Sequence, residues 1–95
     1  MTFDWDNEKA AANIRKHDVA FELAAKVWSD PRHLVVFDRV EAGNERWHAI
    51  GLVRGVVILT VVHAYGPDGE DEPVRIISAR KATPEERRRY EANDD

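Results

Sequence analysis

Four segments rich in β-branched and aromatic residues dominate this chain after Pro31: HLVVFDRV from His33, RWHAIGLV from Arg46, VVILTVVHAY from Val56 and VRIISAR from Val74. Only EAGNE and the Arg54-Gly55 pair interrupt the first three. Such short breaks leave room for hairpins and not for the crossover that a parallel neighbour requires. The first three segments are therefore expected to run antiparallel as a meander. GPDGEDEP, an acidic Gly/Pro loop, leads into the fourth.

The flanks follow other periods. TFDW alternates Phe3 and Trp5 with polar residues and reads as a short edge strand. In DNEKAAANIRKH the alanines favour a helix over 7–17, with Asp6 as N-cap and Lys16 and His17 where the helix dipole favours cations. FELAAKVW places Phe21, Ala24, Ala25 and Trp28 on one stripe of a second helix, stopped at SDP before Pro31. TPEERRRYEA opens a last helix, with Thr83 as N-cap, Pro84 at the first helical position and Glu86 completing a capping box. The order β-α-α-β-β-β-β-α predicts an α+β fold, with helices packed to one side of a mostly antiparallel sheet. With 95 residues, one domain over 1–95 is expected.

Composition narrows the function. Without cysteine there is neither a disulfide framework nor a thiolate metal site, and no apolar run approaches a membrane span, so a cytoplasmic protein is expected. The net charge is -4, yet residues 74–90 hold six basic residues against two acidic ones, a segregated patch suited to an anion. There is no phosphate-binding Gly loop, nucleophile motif or H-E-x-x-H pattern, and the four histidines lack the i, i+4 spacing of a helical metal site. No metal or other cofactor is expected.

The remaining mixture of Lys, Arg, His and Glu suits RNA cleavage by the ribose 2′-OH. That reaction needs a base, an acid and cations around the phosphorane, and Arg grips two phosphate oxygens at once. Arg75 and Arg80 are an odd number apart, so they face opposite ways unless a bulge intervenes. A register with residue 64 opposite 74 puts His63 across from Arg75, and Arg46, His48, His63 and Arg75 then line one surface. Structural readings stand beside these: Arg87 to Arg89 as a solvated helix face, Arg75 and Arg80 in ion pairs with a Glu, and Trp5, Trp28 and Trp47 as core or interface.

The ordered set FDWDNEKAAANIRKHDVAFELAAKVW, ERWHAIG, VVHAY and VRIISARKATPEERRRYE resembles the BrnT toxins of bacterial type II toxin-antitoxin modules. The resemblance implies a RelE-like ribonuclease fold, an endoribonuclease that degrades RNA and halts translation, and a hetero-oligomer with a cognate DNA-binding BrnA antitoxin. It carries over Lys9, Lys16, His17, Glu45, Arg46, His63, Arg75 and Arg80. Among these, His17 or Glu45 is the candidate for proton transfer, and Arg75 and Arg80 for phosphate stabilisation. Lys9, Lys16, Arg46 and His63 are the candidates for RNA binding. Asp18 stands where the family commonly has Gly, and Ala20 where it commonly has a capping Ser or Thr; Asp18 is a candidate N-cap for the second helix. The competing reading is an inactive toxin-like protein that binds the antitoxin as a co-repressor.

Overall fold

The computed structural model describes residues 1–66 and 72–93. Most of the acidic loop lies outside the described residues. Elements run β1 (Phe3–Asp4), α1 (Asn7–His17), α2 (Phe21–Ala24), a 3-10 helix (Ala25–Ser29), β2 (Leu34–Glu41), β3 (Asn44–Val53), β4 (Val57–Ala64), β5 (Val74–Lys81) and α3 (Pro84–Glu91). Among the described residues they form one five-stranded sheet in the order β1-β5-β4-β3-β2. The meander is antiparallel, while β1 joins β5 in parallel.

Local chemistry accounts for the helix boundaries. The Asp6 carboxylate accepts from the Lys9 N–H at 3.0 Å and starts α1. The helix stops at Asp18, which takes a left-handed conformation (φ 58°) and donates its N–H to the Ile14 carbonyl. Asp18 is thus the C-cap of α1 and not the N-cap of α2, because a single residue cannot hold both backbone conformations. Ala20 starts α2 with no side-chain bond. The expected second helix covers the right residues, but its second half tightens to 3-10 geometry, which brings it hard against β3. A Cβ on Gly51 would lie 2.9 Å from Val27 Cγ1, so only glycine permits that approach.

One sheet face carries Ala49, Val53, Leu59, Val61, Ile76 and Ala79, packed on Val19, Phe21, Ala24 and Val27. Burying these side chains is the main driving force for the fold. Asn13, itself 5% exposed, joins α1 to β5: its Nδ2 donates to the Val19 and Ala79 carbonyls and its Oδ1 accepts from the Ala79 N–H. The side chain therefore continues the ladder beyond the end of short β1 and satisfies both main-chain groups of Ala79.

The last helix corrects an expectation. Glu86 of α3 accepts from the Thr60 hydroxyl, and Thr60 alternates with Leu59 and Val61 and so points away from α1 and α2. Hence α3 covers the second face, over Ile50 and Thr60, both fully buried. The helices are not all on one side, because Thr60 and Arg80 in the two central strands give Glu86 its partners only on that face. At the far end, Asp30 gathers three donors, from the Tyr90 hydroxyl at 2.6 Å, the Leu52 N–H and the Arg32 N–H. Burial opposes its charge, but these bonds outweigh it and hold the carboxyl below its ordinary range.

Candidate functional site

A bulge in β5 determines which charged residues meet. Val62 pairs with Ser78 and His63 with Ile76, so Ile77 is an extra residue. Arg75 then lies opposite Ala64 and Arg80 opposite Thr60, four apart in β4, and the two arginines share the second face. The same register moves His63 away from Arg75. His63 lies opposite Trp47, is fully buried on the α1 side, and meets Trp28 edge to face at 4.9 Å. It is no part of the surface expected to hold RNA. Burial pushes its pKa down to about 4.

Where β3 begins, β4 ends and β5 begins, a groove of about 820 Å³ opens, lined among others by Lys9, Glu45, Arg46, Trp47, Tyr65 and Arg75. Arg46 is half-buried, and neither it nor the Lys9 ammonium has an ion-pair or side-chain hydrogen-bond partner among the described residues. Arg75 is half-exposed, with Nη1 3.3 Å from Asp4 Oδ1. Among the described residues, exposed Glu45 is the one carboxylate in the lining.

Arg80 has another commitment. Its Nη1 and Nη2 donate to Glu86 Oε1 and Oε2 at 2.7 and 3.0 Å, a bidentate pair that offsets its charge. Glu86 Oε1 also accepts from Thr60 Oγ1 and from the Thr83 N–H. Burial works against the Glu86 carboxylate, yet Arg80, Thr83 and Thr60 together bring its pKa down to about 2. Beside this pair, His48 lies between carboxylates, with Nε2 3.4 Å from Asp38 and Nδ1 3.7 Å from Glu86. Among the described residues, no three His, Asp or Glu side chains are grouped to hold a metal ion.

The family model described as "Ribonuclease toxin, BrnT, of type II toxin-antitoxin system" matches residues 5–86. The chain belongs to the BrnT family. It is also similar to the Brucella abortus ribonuclease toxin BrnT, known from a crystal structure, with 27% identity and a TM-score of 0.64 over 87% of this chain and 97% of that one. A comparison with curated proteins finds no match. No helix among the described residues is long and apolar enough to cross a membrane.

Every polar position carried over from the BrnT resemblance lies within the matched span, but the fold divides them. Lys9, Glu45, Arg46 and Arg75 converge on the groove. Arg80 sits farther along the same face, under α3, and His63 is in the core. Lys16 and His17 end α1, and His17 is eight residues beyond Lys9, about 12 Å along the axis. Neither lines the groove. The BrnT family's common Gly after the Lys-His pair has a reason in this fold, since position 18 is left-handed. Sequence reasoning missed Tyr65 as a groove residue and Asp38 and Glu86 as partners of His48. Strand alternation could have placed Trp47, but not residues that meet across a bulge or from a helix on the second face.

Proposed function

We propose that this chain is the toxin of a type II pair and cleaves RNA at the groove between β3, β4 and β5. Glu45 removes the proton of a ribose 2′-OH, which attacks the adjacent phosphorus. Arg75 stabilises the charge that grows on the phosphorane, and Arg46 and Lys9 hold the phosphate. Lys9, the ammonium on the helical side, protonates the leaving 5′-oxygen. The observation that carries this reading is Arg46: a half-buried guanidinium with no partner among the described residues, in the same groove as a second arginine, a lysine and a carboxylate. Arginine is seldom left so without an anion to receive.

In this reading His17 and Lys16 take no part in the chemistry, and Arg80 holds α3 through Glu86. Cutting RNA arrests translation. A BrnA-like antitoxin neutralises the toxin by covering the groove with acidic side chains.

The test is cleavage of purified RNA by the isolated protein in EDTA, beside Glu45→Gln, Arg46→Ala, Arg75→Ala and His17→Ala proteins shown to be folded. Loss on the order of 100-fold or more in the first three, with His17→Ala near wild type, is the expected result. Groove variants that cut as well as wild type refute the assignment. A folded wild type that leaves RNA intact, alone and with ribosomes, favours the inactive co-repressor instead.

A further inference from the structure

The end of the sheet away from the groove carries a second recess. Between the β3–β4 turn and the first turn of α3, a cleft of about 290 Å³ opens, with Leu52, Val56, Val57 and Ile58 in its lining and Lys81 and Arg87 beside them. Single exposed apolar side chains are common on a folded protein, but here four adjoin, and Val56 is 83% exposed. The turn holds it there. Arg54 and Gly55 are both left-handed (φ 57° and 69°), and the Val56 N–H donates to the Val53 carbonyl at 3.1 Å, so Val56 stays outside the pairing of Val53 with Val57.

The charge of the cleft is one-sided. Among the described residues no carboxylate lines it, and neither the Lys81 ammonium nor the Arg87 guanidinium has an ion-pair or side-chain hydrogen-bond partner. Glu86, the residue before Arg87, is turned to Arg80, Thr60 and Thr83 instead. The cleft therefore sets uncompensated cations beside an aliphatic floor, and its complement is a carboxylate next to an aliphatic side chain. RNA would supply anions but not that shape, because unstacked bases rest on aromatic rings and the lining has none among the described residues.

We infer that this cleft is a docking site for an acidic, aliphatic segment of the antitoxin, separate from the groove. The inference rests on the proposed type II reading for the existence of that partner and adds the surface by which it is held. β4 runs from Val57 in the cleft to Ala64 in the groove, about 23 Å along its 8 residues. One extended segment of similar length reaches from one to the other. Anchoring in the cleft raises the local concentration of the acidic side chains that cover the groove, so the two contacts together bind more tightly than either alone.

Titration calorimetry of the toxin with its cognate antitoxin tests this, beside Lys81→Gln/Arg87→Gln and Val56→Asn. These are two independent sets of exposed positions, each protein checked for folding by circular dichroism. Affinity for a single-stranded 2′-fluoro RNA oligomer is measured in parallel at about 0.15 M salt, where charges as far apart as cleft and groove are screened. The double variant is expected to lose antitoxin affinity roughly 10- to 100-fold and Val56→Asn roughly 3- to 10-fold, while both bind the RNA oligomer as wild type does. If either folded variant holds the antitoxin as tightly as wild type, the docking site is overturned and the groove is left standing. Variants that lose RNA affinity as much as antitoxin affinity mark the cleft as a nucleic-acid surface and overturn it too. A wild type that does not bind the antitoxin overturns the partner in the proposed function, and the docking site with it.

Discussion

Replacing Glu86 with Gln perturbs one carboxylate and almost nothing of its shape. In the wild type that carboxylate joins α3 to the two central strands through both Arg80 nitrogens, the Thr60 hydroxyl and the Thr83 N–H, at 2.7–3.0 Å. Gln keeps one oxygen to accept some of these, but it sets an NH₂ against an arginine nitrogen and leaves the Arg80 charge uncompensated. Hydrogen bonds to charged groups contribute about 1.5–3 kcal/mol each, and Arg80 keeps some access to water, so a loss of about 2 kcal/mol is expected. For a domain of this size that lowers Tm by roughly 8–16 °C. The sign of the pH dependence is also set. The Glu86 pKa is about 2 in the folded protein against 4.5 ordinarily, so its stabilisation is fully present above 4.5 and is lost as pH falls through that window. Urea unfolding of both proteins across that range is the assay. The stability gap between wild type and Glu86→Gln should close as pH falls from 4.5 toward 2. A gap that stays constant over the range, or one below about 0.5 kcal/mol above it, refutes the account of α3 as tethered by this ion pair.

Other residues give further expectations. Asn13→Ala removes three buried hydrogen bonds and leaves the Ala79 main chain unsatisfied, so it should cost about 2–4 kcal/mol in chemical denaturation. Asp18→Gly relieves a left-handed non-glycine residue and should raise stability by about 0.5–1 kcal/mol, read as a shift in denaturation midpoint. Buried His63 stays neutral down to about pH 4, whereas the unfolded chain protonates it near 6.5. Wild-type stability should therefore fall between pH 6.5 and 4, by about 3 kcal/mol at most, and His63→Gln should flatten that part of the profile. The Glu86 window lies lower, so the two contributions separate in a pH series.

Elements whose cause is local were legible in the sequence. The Asp6 cap, the Thr83–Glu86 capping box and the β-branched runs each act within a few residues, and the structure has them where they were expected. The ordered motifs also led to the BrnT family, because the spacing of Lys9, Asn13, Phe21 and the Arg75–Arg80 block survives in one dimension. The antiparallel meander was legible too, because its short connections allow little else, but exact register and the face that each helix covers were not. One inserted residue, Ile77, shifts the register so that Arg75 and Arg80 share a face, while His63, which continues the core-facing alternation of Leu59 and Val61, no longer lies across from Arg75. No local propensity marks such a bulge, since side-chain alternation changes parity there and only strand pairing reveals it. The position of α3 on the second face depends likewise on Glu86 finding Thr60 and Arg80 across the sheet. By itself, then, the sequence determined which segments form helix or strand and which family the chain joins. The tertiary structure alone decided which charges meet at the groove, because facing is a property of paired strands and not of single ones.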